Sequence, residues 1–256
     1  MSPSELAAVP PFDPTPDVLV VIPTYNEIDN LLPIVTEVLA LGDGYAVLVV
    51  DDNSPDGTGA LADSLASTFA GRVGVLHRAG KEGLGRAYVA GLTLARAAGP
   101  RLIAQMDADH SHQPADLARM VAVATETDAD LVLGSRYIAG GDTRGWPWHR
   151  KAISRAGGIY AGLILGVPIR DLTGGFKVWK PATLERIDLR SIHADGYGFQ
   201  IETTFRTLST GGRVEQVPIT FTDRVAGSSK LSRRVVIEAA VMVWGLRLRQ
   251  VLGRPW

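Results

Sequence analysis

The chain alternates short apolar runs with longer segments in which apolar residues recur at helical spacing. The first four runs are rich in Val, Leu and Ile and lie at residues 18–22, 46–50, 73–76 and 101–106. A further run lies at residues 131–133. Continuous apolar runs of this kind are typical of strands that are buried on both faces of a parallel sheet. Because strands that alternate with helices build βαβ units, we expect an α/β fold with a mostly parallel central sheet flanked by helices.

The length and the proline distribution divide the chain into three parts. A chain of 256 residues is long enough for one α/β domain with a substantial core and an appendage. Residues 1–17 contain five prolines and no basic segment that leads into an apolar core. They predict a disordered lead-in and not a signal peptide. Residues 18–231 form the predicted domain, and residues 232–256 form a predicted C-terminal amphipathic, basic helix.

The charge of the chain is unevenly distributed. The net charge of −1 gives no indication of nucleic acid binding, but residues 223–256 carry seven basic and two acidic residues, a net of +5. A basic tail on an acidic body predicts an anionic partner at that end, either a phosphate or a membrane surface. The absence of cysteine excludes disulfides and thiolate chemistry and is compatible with the cytosol.

The last predicted helix contains an apolar run at residues 235–246, interrupted by Glu238. A transmembrane helix needs about 20 apolar residues, so this run is too short to span a bilayer. Arginines flank it on both sides, which is typical of a helix lying on anionic lipid. A helix packed on the body of the protein or against a partner subunit fits the same pattern. Both interpretations stay open at this point.

Polar segments follow the strands that end at residues 22, 50, 76 and 106. In a parallel sheet these segments meet at one edge, where α/β proteins bind ligands. Asp107 and Asp109 follow the fourth strand, and two carboxylates near one point suit Mg²⁺ or Mn²⁺ with phosphate oxygens as further ligands. A lone Asp-x-Asp pair is usually a solvated turn. The other polar segments at the same edge favour the metal site here.

Several motifs together resemble the family 2 glycosyltransferases with the GT-A fold. They resemble more narrowly the dolichol-phosphate mannose synthases and their bacterial polyprenol-phosphate counterparts. The match runs in order from about residue 18 to residue 231. The motifs are VVIPTYNE (20–27), DDNSPDGT (51–58), KEGLG (81–85), MDAD (106–109), GSRY (134–137), RDLTGGFK (170–177), GFQIE (198–202), PITFTDR (218–224) and SKL (229–231).

This resemblance implies a GT-A catalytic domain over residues 18–231 that transfers mannose from GDP-mannose to a polyprenyl phosphate with inversion. It implies Mg²⁺ or Mn²⁺ as cofactor and a cytoplasmic enzyme, peripheral on the cytosolic face of a membrane, with room for a membrane-anchoring protein partner. The alternatives are a transferase that uses UDP-glucose or another hexose donor, and a non-catalytic nucleotide-sugar-binding subunit. Because a phosphate monoester is already ionised near neutral pH, no residue is assigned as a general base.

The resemblance assigns a role to each donor-site segment. Tyr25 would offer a ring face and a hydroxyl to the base, and Glu27 would accept ribose hydroxyl protons. On its own, the segment 51–58 is equally typical of a tight turn and helix cap. The implied metal ligands are Asp107 and Asp109, with Ser111 or a water in the third position. The implied nucleotide-sugar-binding residues are Pro23, Tyr25, Glu27, Val50, Asp52, Met106, Asp107, Ala108, Asp109, Arg136, Arg224 and Lys230.

The acceptor phosphate needs a cationic site, for which Arg136, Arg150 and Ser154 are the candidates. Arg150 and Ser154 are spaced i and i+4, so they share a face if a helix begins by Arg150. Arg224 and Lys230 would neutralise the donor diphosphate as it leaves, and they join Asp107 and Asp109 as the predicted catalytic residues. An apolar wall for the isoprenoid, or simply core packing, is predicted for Trp146, Trp148, Ile159, Leu163 and Ile164.

Overall fold

The computed structural model of the chain describes residues 12–223 and 233–253, with side chains in the last helix from residue 240 onward. The first half has the predicted alternation of strands and helices, and the boundaries lie close to the predicted ones. The elements are β1 (Val18–Thr24), α1 (Ile28–Leu39), β2 (Tyr45–Asp51), α2 (Thr58–Thr68), β3 (Val73–His77), α3 (Leu84–Ala97), β4 (Leu102–Gln105), α4 (Pro114–Glu126) and β5 (Leu131–Ser135).

The second half departs more from the sequence patterns. Its first helix begins at Trp148, so Arg150 and Ser154 lie on one helix, and a helix that was not predicted spans Gly196–Ser209. Two short strands follow this helix, separated by one residue. The elements are β6 (Asp142–Arg144), α5 (Trp148–Leu165), β7 (Lys177–Trp179), α6 (Pro181–Arg186), a 3₁₀ turn (Leu189–Ser191), α7 (Gly196–Ser209), β8 (Val214–Pro218), β9 (Thr220–Thr222) and α8 (Arg233–Val251).

Seven strands form the central sheet in the order β3-β2-β1-β4-β7-β5-β8, and β6 pairs with β9 in a small second sheet. All pairings in the central sheet are parallel except those of β7, which runs antiparallel between β4 and β5. The chain builds outward from β1 to β3 and then returns to place β4 on the other side of β1. This reversal opens a crevice at the carboxyl ends of β1 and β4, where α/β sheets bind ligands.

The core has two layers because side chains alternate along each strand. Val20 and Ile22 of β1 pack with α1, α2 and α4 on one face of the sheet, whereas Leu19 and Val21 pack with α3 on the other. Helix α3 lies close to the sheet at Gly91. A β-carbon at that position would lie 2.5 Å from Cγ1 of Val21, so glycine is needed for this close approach.

A third apolar cluster joins α5, α7 and α8. It includes Leu165 of α5, Phe205 of α7, and Val243 and Leu246 of α8. Residues 198–207 of α7 are all buried, which explains why a segment rich in Gly and Thr is helical despite modest intrinsic propensity. Among the described residues, no helix has the length and apolar character that crossing a membrane requires.

The described end of the lead-in is anchored to the domain. Phe12 packs against the α3 layer, and the backbone N–H of Asp13 donates to the carbonyl of Gly71 at 3.3 Å. The prediction of disorder up to residue 17 is therefore wrong for residues 12–17. The proline content suggested an unpacked segment, but Asp13 pairs with the loop before β3, and the carbonyl of Asp17 accepts a hydrogen bond from the backbone N–H of Leu102 in β4. Residues 1–11 lie outside the described part of the chain.

Candidate functional site

The two predicted metal ligands lie on the loop that follows β4, at the crevice. The Tyr88 hydroxyl of α3 donates to Oδ1 of Asp107 at 2.6 Å. The backbone N–H of Ser111 donates to Oδ1 of Asp109 at 3.1 Å. His110, which lies between Asp109 and Ser111, has a φ of 57°, so the backbone of the loop adopts the left-handed conformation at this residue. Burial, followed by the negative charge of Asp107, raises the pKa of Tyr88 well above its ordinary value, so the phenol stays a hydrogen-bond donor.

His112 stabilises the loop that carries Asp107 and Asp109. Its Nδ1 accepts a hydrogen bond from the backbone N–H of Asp107 at 3.2 Å. Its ring stacks on Phe176 at 4.6 Å and meets Phe221 edge-on at 5.4 Å. The side chain is buried, and that burial lowers the pKa of the imidazole. These contacts make His112 a structural part of the acidic loop.

The chemistry of this loop fits a hard divalent cation. Ser111 Oγ is buried and has no hydrogen-bond partner among the described residues. A buried hydroxyl without a partner is costly unless a ligand completes it. No group of three or more His, Cys, Asp or Glu side chains in the described part of the chain is arranged to hold a metal. Asp107, Asp109 and Ser111 would offer a metal ion oxygen atoms only. The remaining ligands of the ion would come from phosphate or water.

The predicted nucleoside residues lie at the same edge. Pro23 is buried at the end of β1, and Tyr25 and Glu27 are half-buried beside it. The Lys81 ammonium lies 3.6 Å from the centre of the Tyr25 ring, so the KEGLG segment covers one face of that ring. Glu27 Oε2 accepts a hydrogen bond from Asn30 at 2.7 Å. A base that stacks on Tyr25 must use the other ring face or displace Lys81.

Asp52 is buried at the end of β2 and forms an ion pair with Arg78. Arg78 also contacts Glu82 at 2.7 Å, which ties the base pocket to the KEGLG segment. Burial raises the pKa of the Asp52 carboxyl, although the Arg78 guanidinium opposes the rise. Arg78 was not predicted as a site residue. Its position directly after β3, at the edge already assigned to the ligand, was the available signal.

Three residues of the predicted donor site are core residues. Val50 has no exposed surface and belongs to the apolar layer under α3. Met106 and Ala108 are buried in the opposite layer, so only their backbones are available to a ligand. Asp107 lies between Met106 and Ala108 in the sequence and turns to the other side, where its carboxylate accepts from Tyr88 of α3.

Arg136, predicted to bind phosphate, is held by a buried carboxylate. Its Nε and Nη2 donate to the two oxygens of Asp171 at 2.7 and 2.6 Å, and Nη2 also donates to Thr173 at 2.8 Å. Arg136 is 6% exposed and Asp171 is 0% exposed. Burial alone would lower the pKa of Arg136, but Asp171 raises it above its ordinary value. Asp171 and Thr173 thus engage three of the five N–H donors of the Arg136 side chain.

Arg150 has a more accessible position at the start of α5. Its guanidinium carbon lies 4.1 Å from the centre of the Trp146 ring, and Nη1 donates to Oδ1 of Asp223 at 2.9 Å. Ser154, one turn further along α5, lies beside the Tyr137 hydroxyl. Burial raises the pKa of Tyr137, and Arg136 and Ser154 oppose the rise. Arg136, Arg150 and Ser154, the predicted acceptor trio, therefore surround one aromatic cluster.

The aromatic cluster connects the acidic loop to the acceptor trio. The Phe221 ring lies 5.4 Å from the His112 ring and 5.3 Å from the Trp146 ring. Of the predicted apolar wall, Trp146 is buried, whereas Trp148, Ile159 and Leu163 are exposed and Ile164 is partly buried. Arg224 and Lys230 lie outside the described residues, so their roles stay predictions.

Comparison with solved structures supports the predicted fold. A glucosyl-3-phosphoglycerate synthase from Mycobacterium tuberculosis, in complex with Mn²⁺, UDP-glucose and phosphoglyceric acid, aligns with a TM-score of 0.66. The alignment covers 99% of this chain and 83% of that chain at 20% sequence identity. This likeness concerns the architecture and confirms the predicted GT-A type α/β fold.

Comparison of sequences gives the family. A polyprenol monophosphomannose synthase of Mycolicibacterium smegmatis is 47% identical over 238 residues, which cover 92% of this chain and 89% of that protein. An undecaprenyl-phosphate mannosyltransferase of Micrococcus luteus is 47% identical over 235 residues, which cover 91% of this chain and 95% of that protein. Residues 19–187 match the family described as Glycosyl transferase family 2. The resemblance seen in the motifs is thus confirmed, and the chain belongs to glycosyl transferase family 2.

Proposed function

We propose that this protein is a metal-dependent inverting glycosyltransferase that moves mannose from GDP-mannose to a polyprenyl phosphate. The observation that carries the proposal is the contact between two subsites through Phe221. An acidic, oxygen-lined loop suited to a nucleotide diphosphate lies on one side of this ring, and an arginine and tryptophan cluster suited to a second phosphate lies on the other. The names of the two relatives at 47% identity describe mannosyl transfer to polyprenol carriers, which supports the same substrates here.

Asp52 and Arg78 support guanine as the donor base. Guanine presents N1–H and an amino group as donors beside the O6 and N7 acceptors. A carboxylate that accepts and a guanidinium that donates are complementary to these two kinds of group. The Asp52–Arg78 pair lies where the carboxyl ends of β2 and β3 meet. It is next to Tyr25, whose ring has the Lys81 ammonium on one face.

The reaction needs no strong base in this site. A polyprenyl phosphate carries a charge of about −1.5 to −2 at neutral pH, so its oxygen is already a nucleophile. That oxygen forms a bond to C1 of mannose while the bond from C1 to the GDP oxygen breaks, and GDP leaves with the electron pair. Attack opposite the leaving group inverts C1. Arg150, Ser154 and the Trp146 face would hold the acceptor phosphate in line, so that catalysis is mainly positioning and charge stabilisation.

Asp107, Asp109 and Ser111 would hold a Mg²⁺ or Mn²⁺ ion at the donor diphosphate. When bound, such an ion neutralises charge on the departing nucleotide. The Tyr88 hydroxyl and His112 fix the loop that carries these oxygens, so the ligands are arranged before the substrate arrives.

The direct test is incubation of the purified protein with radiolabelled GDP-mannose, a divalent cation and polyprenyl phosphate in detergent. We expect label to enter the organic phase as a mild-acid-labile lipid, and we expect UDP-glucose to transfer far less. No extractable mannolipid would refute the proposal. Stronger transfer from UDP-glucose would replace mannose with glucose as the transferred sugar.

A membrane surface is the proposed location, because α5 and α8 present one continuous apolar face. The two helices are joined there by Trp244 Nε1, which donates to the Tyr160 hydroxyl at 3.1 Å. Arg247 and Arg249 of α8 carry the positive charge that anionic lipids attract. The exposed apolar side chains of this face are Trp148, Ile153, Ile159, Tyr160, Leu163, Val241, Trp244, Leu248, Val251 and Leu252.

The double variant Leu163→Asp/Leu248→Asp is expected to lose most binding to vesicles of phosphatidylglycerol. Two carboxylates on this face would have to enter the headgroup region, where the unmodified face buries apolar surface. Flotation of vesicles with bound protein measures the effect. The control is Leu32→Asp, which adds a charge at a 46% exposed leucine on α1 and should float as the wild type does. Equal flotation of the double variant would place the membrane contact elsewhere.

A further inference from the structure

We propose that Asp223 occupies Arg150 and so raises the charge that an anion needs to enter the acceptor subsite, which keeps phosphodiester headgroups out while a phosphate monoester still binds. This inference rests on the proposed function, because it takes Arg150 as the residue that receives the lipid phosphate. It adds a property that the family assignment does not contain. Asp223 would be a specificity-determining residue that acts through Arg150.

The Arg150–Asp223 pair is held in place on both sides. The guanidinium of Arg150 lies on the Trp146 ring, and its side chain is only 23% exposed. The backbone N–H of Asp223 donates to the carbonyl of Arg144 at 2.9 Å, which continues the pairing of β6 with β9. A β-carbon at Gly145 would lie 3.1 Å from Cβ of Asp223, so the two strands pass closely. The pair therefore lacks the freedom of two long surface side chains.

Charge decides which anions can replace Asp223. A phosphodiester carries one negative charge, the same as the carboxylate, so exchanging one for the other gains little attraction to Arg150. A phosphate monoester carries a charge of about −1.5 to −2 at neutral pH and gains attraction on exchange. Membranes present phosphodiester headgroups in large excess over any polyprenyl phosphate. A carboxylate at this position would keep those headgroups from occupying Arg150.

The neighbouring tryptophan gives a second reason for the same selectivity. Trp146 is 8% exposed, and its Nε1–H is buried without a hydrogen-bond partner among the described residues. A buried donor of this kind favours a ligand that can accept from it. A monoester offers three terminal oxygens, whereas a diester offers two. Arg150 and Trp146 together therefore match the larger number of acceptors.

The test compares two small inhibitors of mannolipid formation, methyl phosphate as the monoester and dimethyl phosphate as the diester. For the wild type we expect methyl phosphate to inhibit at a concentration at least about tenfold lower than dimethyl phosphate, since a tenfold ratio needs only a modest difference in binding. For Asp223→Asn we expect both inhibition constants to fall, each by about tenfold, because neither anion then has to displace a carboxylate from Arg150. Dimethyl phosphate, which the wild type binds weakly, should then become an effective inhibitor.

Asp142→Asn is the matched control. Asp142 pairs with Lys151, which directly follows Arg150 on α5, at 3.6 Å, so this variant removes one negative charge nearby without touching Arg150. Its inhibition constants should match those of the wild type. If Asp223→Asn is inactive, ³¹P NMR line broadening of the two inhibitors measures their binding directly. An unchanged affinity for dimethyl phosphate in Asp223→Asn overturns the inference alone, whereas a wild type that makes no mannolipid refutes the proposed function.

Discussion

Asp107→Asn is expected to lower kcat/KM for mannosyl transfer by about 10²- to 10³-fold, the range seen when one preorganised electrostatic group is removed from an active site. The substitution keeps the size of the side chain but replaces a carboxylate oxygen with an amide and removes its charge. The remaining Asp109 and Ser111 would then hold a divalent ion more weakly. Initial rates with radiolabelled donor measure the loss, and the Mn²⁺ affinity of the free protein, followed by electron paramagnetic resonance, should fall in parallel.

Asp63→Asn serves as the control for this variant. Asp63 contacts His77 at 2.8 Å, but its side chain is 61% exposed on α2, away from the acidic loop. It should retain the activity and the Mn²⁺ affinity of the wild type. Wild-type turnover in Asp107→Asn would mean that the loop after β4 does not carry the reaction.

Asp171→Ala is expected to have the largest effect on folding. The change leaves the Arg136 guanidinium buried without the carboxylate that now accepts two of its side-chain donors. Removing one partner of a buried ion pair typically costs about 3–5 kcal/mol, because the other charge stays in a poorly solvated position. The free energy of unfolding in urea should fall by about that amount. The segment from Asp171 to Gly175 should also become more accessible to proteases.

An exposed pair provides the comparison. Asp128 contacts Arg213 at 3.5 Å, and the side chains are 89% and 60% exposed. Replacing Asp128 with alanine should change the free energy of unfolding by no more than about 1 kcal/mol. If the two alanine variants lose equal stability, the Arg136–Asp171 pair is not an important support of the fold. In the double variant R136M/D171A the unpaired charge is removed, so part of the lost stability should return.

The sequence predicted the first half of the fold well because the apolar runs of β1, β2 and β4 are continuous and each ends in a polar segment. It did not predict the antiparallel direction of β7. A strand of three residues, Lys177–Trp179, carries no pattern that distinguishes one direction from the other. The direction comes from its neighbours, since β7 pairs with both β4 and β5 across the middle of the sheet. Helix α7 was missed for a related reason, because burial makes it helical and its composition does not.

The sequence predicted which loops form the site. It did not predict the hydrogen bonds and ion pairs that hold those loops in place. The carboxylates of Asp107 and Asp109 stand at the end of a strand, where the pattern shows them. In the sequence, Tyr88 has the pattern of a core residue of a helix. Only the folded chain brings its hydroxyl to Asp107. Arg136 was predicted to bind phosphate, but Asp171, 35 residues away, accepts its donors. The spacing of residues close together in the sequence gives no indication of such long-range pairs.

Lys177 shows the same limit. Its ammonium is fully buried and donates to the carbonyl of Gln200 and the hydroxyl of Thr203, which ties β7 to α7. Burial lowers the pKa of Lys177 well below its ordinary value. In the sequence it is an ordinary basic residue at the end of the RDLTGGFK segment, and nothing there indicates a buried basic side chain.

The contact at Gly91 has a consequence for how this enzyme can diverge. Tyr88 lies one turn before Gly91 on the same helix, so the height of α3 above the sheet sets the reach of the phenol toward the acidic loop. A single hydrogen atom at residue 91 thus helps to define the catalytic geometry. Position 91 leaves almost no room for a larger side chain, whereas exposed loop positions do not meet this steric limit.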